Sequence, residues 1–187
     1  MMTEPEEVHK LMRFTTDVAK MMAVNYIEAG ADVIAVVDPM TSQIDPMSFE
    51  TFVSPYVKEV FDFVRECDAL SSFFVCGNAQ QNIEVMCKTG PDNISIDENI
   101  PLAFVRDMAL KHKVSFGGNI KLTVVLLMGD EEASRRDALD CMDIGGKKGF
   151  ILAPGCDLAM DTPVGNIVAV SELVHDEILQ GELRASE

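Results

Sequence analysis

The sequence predicts an α/β protein built on a parallel sheet of about five strands. Three observations carry this prediction. Five short apolar segments recur along the chain, at 33–37, 73–76, 93–96, 114–116 and 150–152. A stretch with helical spacing follows each of them, and strand–helix alternation is the pattern of a parallel sheet. No two of the segments are joined by a hairpin-length turn.

Thr3 with Glu6 forms a capping box that opens the first helix, whose apolar positions include Val8, Leu11, Met12, Val18, Met21, Met22 and Ile27. Gly30 closes it. Val33–Val37 is apolar without alternation, the mark of a strand covered on both faces, and it ends at Asp38-Pro39. A loop from Met40 to Pro46 leads to a helical region in which Ser54 and Pro55 stand as N-cap and first residue of the second part. Val57, Val60, Phe61 and Val64 form its apolar side.

The strand Phe73–Cys76 follows, then a helix from about Ala79 to Lys88 closed by Gly90. Asn93–Ile96 ends at Asp97, and Pro101 opens a helix that runs to about Lys113. The strand Val114–Phe116 stops at Gly117-Gly118-Asn119, and a compact turn occupies Leu122 to Met128. Asp130 caps a helix that Gly145-Gly146 breaks, and Phe150–Leu152 is the last strand. Thr162-Pro163 starts a final helix ending near Leu179, with residues 180–187 expected to fray. All 187 residues are read as one domain.

Composition excludes several classes of function. The 15 Lys and Arg face 31 Asp and Glu, a formal charge of −16. Such a chain repels phosphate backbones and anionic lipid, so neither nucleic acid nor membrane is an expected partner. The acidic start Met-Met-Thr-Glu-Pro-Glu-Glu lacks the basic character of a secretory leader. Five cysteines, an odd number, suit free thiols in the cytoplasm.

Chemistry concentrates at two cysteines. Phe73-Phe74-Val75-Cys76-Gly77-Asn78 and Ile151-Leu152-Ala153-Pro154-Gly155-Cys156-Asp157 are both apolar strands that end in a tight turn and a thiol. At the carboxyl ends of two parallel strands they can face one another, or they can simply be small packed residues. Asp38 and Asp97 end neighbouring strands, where barrel enzymes place site groups and where turns also favour Asp. Asn78 and Asn119 beside glycines read as turn residues or ligand contacts. Cys67, Cys87 and Cys141 fall on helices and are read as core.

Taken in order, Val75-Cys76-Gly77-Asn78, Ile96-Asp97-Glu98, Gly118-Asn119-Ile120, Ala153-Pro154-Gly155-Cys156 and Asp161-Thr162-Pro163 with Asn166-Ile167 resemble the uroporphyrinogen decarboxylase superfamily. The pattern is most similar to its cobalamin-dependent methyltransferases, which move a methyl group between a corrinoid protein and a thiol. The resemblance implies a TIM-type (β/α) barrel, of which this chain matches the C-terminal part. It also implies a zinc site of His-x-Cys plus a distant Cys, carried here by Cys76 and Cys156. By their places at strand ends, Asp38 and Asp97 are the catalytic candidates and Asn78 and Asn119 the candidate cofactor contacts.

The histidine position holds Phe74, which cannot bind metal. A replacement ligand would come from Asp38, from Asp97 or from another chain. The corrinoid is expected on a partner protein, because the chain has no Asp-x-His-x-x-Gly segment. The resemblance also implies that the decarboxylases meet their polycarboxylate substrates with arginines from the N-terminal part, which is missing here. The alternatives are therefore a decarboxylase-like protein without that part, or a non-catalytic partial barrel acting as a binding module. A barrel cut open exposes apolar edges near 33–37 and 150–153, so self-association or a companion with the missing strands is expected.

Overall fold

Residues 3–186 are described by a computed structural model. Five strands, β1 (Val33–Val37), β2 (Leu70–Val75), β3 (Asn93–Ile96), β4 (Ser115–Ile120) and β5 (Phe150–Pro154), form one sheet in the order β1-β2-β3-β4-β5. Every neighbouring pair is parallel. The sheet does not close, because β1 and β5 are its two edges. Helices α1 (Pro5–Glu28), α2 (Pro46–Phe52), α3 (Ser54–Glu66), α4 (Ile83–Lys88), α5 (Leu102–His112), α6 (Glu131–Gly145), α7 (Val164–His175) and α8 (Glu177–Ala185) complete the fold.

Strand alternation divides the sheet into two unlike faces. Val36, Phe73, Ile94, Phe116 and Phe150 share one row by register, and Phe73, Ile94 and Phe116 are fully buried. This face carries the core beneath the helices. Phe61 meets Phe73 edge-on at 5.6 Å between ring centres, and Phe116 lies 5.3 Å from Phe150. The opposite face has rows of Ala35, Ser72, Asn93 and Ser115, then of Val37, Phe74, Ser95, Gly117 and Ile151. Its polar groups satisfy one another. Ser72 and Ser95 both donate to Asn93 Oδ1, at 2.9 and 2.8 Å, and Asn93 Nδ2 donates to Ser115 Oγ.

Several sequence expectations are corrected here. β1 is covered on one face only, and Val33 and Val37 are 51% and 60% exposed. The first helix is not opened by a Thr3–Glu6 capping box. Pro5 favours the first helical position and constrains the residue before it, so Glu4 is the N-cap and makes no side-chain cap. Ser54 is already helical because α2 runs almost directly into α3, with Val53 N–H on Phe49 O and Val57 N–H on Val53 O. Met40 to Pro46 is not all loop, since Pro39–Gln43 forms a 3₁₀ turn. The turn after β4 is a π-helical turn, Leu122–Leu127. The expected fraying tail is helical to Ala185, capped by Asp176, with Leu183 buried and Arg184 paired to Asp143.

Asparagine amides hold the loops that leave the carboxyl ends of the strands. Asn82 Nδ2 donates to Thr41 O and Ile44 O after β1, at 2.7 and 2.8 Å. Asn119 Nδ2 donates to Asp97 O and Ile100 O after β3, at 3.0 and 2.9 Å. Asn166 Nδ2 donates to Leu126 O and Gly129 O after β4, both at 3.0 Å. Each amide spans a loop at two carbonyls, so one side chain fixes a whole turn. Asn166 is only 3% exposed. Asn166→Ala therefore leaves two carbonyls without a donor, and about 1–3 kcal/mol of stability should be lost in urea denaturation.

Helix α1 is tied to α3 by charge. Glu59 accepts from Arg13 at 2.7 and 2.8 Å and also pairs with Lys20. The hydrogen bond from Arg13 and then that from Lys20 hold its carboxyl down to about 2. A depressed carboxylate stabilises the fold above its unfolded value of about 4.3, and that contribution disappears as pH falls toward the folded value. Stability should thus decline between pH 5 and 2 with a contribution from this pair below ~1 kcal/mol, since the group is a third exposed. Glu59→Gln should flatten that part of the profile in acid denaturation.

Candidate functional site

The site is built at the carboxyl end of the sheet, where β2, β3, β4 and β5 stop. Alternation beyond Phe74 and Ser95 places Cys76 and Asp97 on the open face, level with Asn119 and Ala153. Cys76 and Cys156 are both half-buried free thiols.

Asp97 brings the two cysteine loops together. It is 6% exposed, and its Oδ2 accepts the Gly77 N–H at 2.6 Å. Its Oδ2 also accepts from Asn99 Nδ2 at 2.7 Å, and Oδ1 accepts the Asn99 N–H at 3.0 Å. On the other side the chain after β5 packs directly on the same turn. A β-carbon on Gly155 would lie 3.2 Å from Asp97 Cα and would collide with Glu98 Oε2. A side chain here would have to displace the Glu98 carboxylate and press on the backbone of residues 97–98. Gly77 turns the chain after Cys76 at φ +84°, a left-handed conformation that glycine also permits.

Each cysteine is thus next to a glycine in contact with Asp97. The consequence appears in the Cys76 thiol, which is pushed up by burial first, then by Cys156 facing it, then by the Asp97 carboxylate. A backbone hydrogen bond at Cys76 works in the other direction, and the net effect is upward. The other sulfurs are different. Burial pushes Cys87 up to about 12 and Cys141 up to about 11. Both are buried as the sequence suggests, whereas Cys67 ends α3 and is half-exposed.

The remaining candidates occupy structural positions. Asp38 caps the 3₁₀ turn: Oδ1 accepts the N–H groups of Met40 and Thr41, and Oδ2 accepts the Thr41 hydroxyl at 2.9 Å. Asn119 spends its amide hydrogens on the β3 loop, and the Cys141 thiol approaches its Oδ1 at 3.8 Å. Asn78 is exposed and lines a groove with Gln81, Glu84 and Phe104. Sequence reasoning missed Glu98. Its Oε1 accepts the Leu122 N–H at 3.3 Å and its Oε2 lies against Gly155, so it packs on the Cys156 loop. The only advance signal was its place beside Asp97 at a strand end.

The donors fall short of a zinc site. A catalytic zinc takes three protein ligands and a fourth, open position. Cys76 and Cys156 supply two, Phe74 stands on the same face two residues before Cys76, and Asp38 and Asp97 have their oxygens engaged. Among the described residues, no group of three or more His, Cys, Asp or Glu is disposed to hold a metal ion. Nor are arginines gathered at this end. All six lie on helices and pair with carboxylates, as Arg13 does with Glu59 and Arg135 with Glu172.

Among the described residues no helix is long and apolar enough to cross a membrane. The chain is 29% identical over 172 residues to the methylcobamide:CoM methyltransferase MtbA of Methanosarcina acetivorans, which covers 91% of this chain and 49% of that protein. It is 30% identical over 165 residues to the uroporphyrinogen decarboxylase of Trichodesmium erythraeum, covering 88% and 46%. A solved methyltransferase from Methanosarcina mazei superimposes with a TM-score of 0.82 at 24% identity, over 92% of this chain and 51% of the other. That likeness shows the fold, an open part of a (β/α) barrel. The chain spans about half the length of the curated relatives it matches. The family described as uroporphyrinogen decarboxylase (URO-D) matches residues 1–177, and the chain belongs to it.

Proposed function

We propose that this chain carries the thiol-bearing part of a site for methyl transfer between a corrinoid protein and a thiol acceptor. The observation that carries the reading is the convergence of Cys76 and Cys156 on Asp97 at the carboxyl end of the sheet. Relatives named as methylcobamide:CoM methyltransferases support the direction of the chemistry, with the corrinoid brought by a partner protein. In this reading Asp97 is a positioning residue that sets where the two sulfurs stand.

Zinc is the metal that the resemblance implies, and it would supply a thiolate at neutral pH. The two thiols of this chain do not complete a set for it, so no step is assigned to the metal. What the residues themselves provide is a pair of adjacent soft nucleophiles in a half-buried mouth. The decarboxylase alternative receives no support from charge, since each arginine is already paired to a carboxylate.

The reading is tested by supplying methylcobalamin and coenzyme M to the full chain and following demethylation of the cobalamin. Turnover should fall at least ten-fold in Cys76→Ser and in Cys156→Ser. A wild-type chain with no turnover, or one equally active without both cysteines, would sink the enzyme reading.

A second reading, a non-catalytic binding module, is favoured by Phe74 and by the open edges. Val33 and Val37 on β1 and Ile151 on β5 are more than half exposed, as are Leu11, Phe14, Met21 and Tyr26 along α1. Unpaired edges flanked by apolar surface are expected to be covered by a second copy or by a companion carrying the missing strands. Light scattering at micromolar concentration should therefore report a mass above that of the 20.5 kDa chain. A strictly monomeric chain would overturn this expectation.

A further inference from the structure

Two thiols that share a site with no third ligand have one partner left, which is each other. The loops that carry them meet on Asp97, and the two side chains interact directly with one another. Gly77, next to Cys76, donates to Asp97 Oδ2 at 2.6 Å, and Gly155, next to Cys156, packs so closely on Asp97 and Glu98 that a β-carbon would lie 3.2 Å from Asp97 Cα. Both sulfurs are half-buried, within reach of small reagents. The remaining cysteines do not compete. Cys87 and Cys141 are 3% and 6% exposed, and Cys67 precedes β2, at the other end of that strand.

We propose that Cys76 and Cys156 form a reversible intramolecular disulfide that ties the end of β2 to the end of β5 and switches off the thiol chemistry of the mouth. The loss of the metal-ligand histidine at Phe74 is what leaves the pair free to do this. The consequence for activity rests on the methyl-transfer reading; the disulfide itself does not.

The oxidant is a low-molecular-weight disulfide of the glutathione type. One cysteine thiolate attacks a sulfur of the reagent, the reagent's S–S bond breaks, and one small thiolate departs and takes up the proton. The second cysteine then attacks the protein-bound sulfur of this mixed disulfide and expels the second small thiol. Two cysteine thiols have lost two electrons and two protons, and the reagent has gained them as two thiols. A reducing dithiol reverses the sequence.

The experiment uses the full chain carrying Cys67→Ser, which leaves Cys76 and Cys156 as the only half-buried thiols. The protein is treated with oxidised glutathione, alkylated without reduction, digested, and its peptides are weighed. The expected product is a peptide joining Cys76 to Cys156, with the melting temperature raised by roughly 5 °C or more because a long loop is closed. Dithiothreitol should abolish both changes. Cys76→Ser and Cys156→Ser should give no cross-link and should instead retain one glutathione on the surviving thiol.

Phe74→His is the second variant. With zinc present it should bind the metal and form the cross-link at least ten-fold more slowly than the parent, which zinc should not protect. Single glutathionylation of Cys76 and Cys156 without a joined peptide, in protein with native circular dichroism, overturns the proposal. Equal protection of the parent by zinc overturns it too. A chain that cross-links but never turns over methylcobalamin keeps the disulfide and loses only the methyl-transfer reading.

Discussion

The arrangement of the site depends on one buried carboxylate. Asp97 leaves β3 with its charge almost fully removed from water, and it survives there because it accepts three hydrogen bonds from Gly77 and Asn99. Bonds from backbone N–H to an ionised oxygen are about twice as strong as neutral ones, and a buried charge without them is not tolerated. The same residue offers its carbonyl to Asn119, which links it to β4, and its α-carbon to Gly155, which links it to β5. Four strand ends therefore meet on one residue. The positions of Cys76 and Cys156 follow from this, because each is adjacent to a glycine that contacts Asp97.

That hub would be ineffective on mobile loops. The amides of Asn82, Asn119 and Asn166 remove this difficulty by the same device used three times, each bridging two carbonyls of a loop at a strand's carboxyl end. Lys121 and Asp137 add a further tie between the end of β4 and α6, with the Lys121 N–H also donating to Asp137 at 2.9 Å. Loop carbonyls near a half-buried site lack water as an alternative partner, so these side chains determine whether the loops are ordered. The chemistry stands on the strand ends, and the asparagines stand between the strands and disorder.

Much of the fold was readable from apolar runs. Val33–Val37 and Asn93–Ile96 occur as the sequence suggests, and Gly30 takes the positive φ expected at the end of α1. The start of β2 was hidden because Ser71 and Ser72 look like loop residues, and their hydroxyls reach Asp92 and Asn93 only in the assembled sheet. The end of β4 was hidden because Gly117-Gly118-Asn119 reads as a turn, yet the ladder with β5 continues to Ile120 opposite Pro154. Tertiary pairing overrides local preference in both places. At the site, the two cysteines were visible as repeats of strand, turn and thiol. Glu98 was not, since its position follows from the missing side chain of Gly155. Asp38 carries the opposite lesson: an acidic strand end was visible, but its oxygens are taken by the turn it caps.

The two faces of the sheet also constrain how the molecule meets others. The centre of the open face has a floor of Ser72, Asn93, Ser95 and Ser115 that is already hydrogen-bonded to itself, so covering that centre gains little. Exposed apolar area lies at the margins of that face, at Val33 and Val37 on β1 and at Ile151 on β5, and along α1. Free energy gained on association scales with apolar area removed from water, so burial is most favourable at the edges. Edges also hold the unpaired backbone groups of β1 and β5, which a flat cover over the floor would leave unsatisfied. Five strands are three fewer than a closed barrel of this class contains. An edgewise partner of parallel strands satisfies the backbone and the apolar surface together, while leaving the mouth with Cys76 and Cys156 at the rim where the strands end.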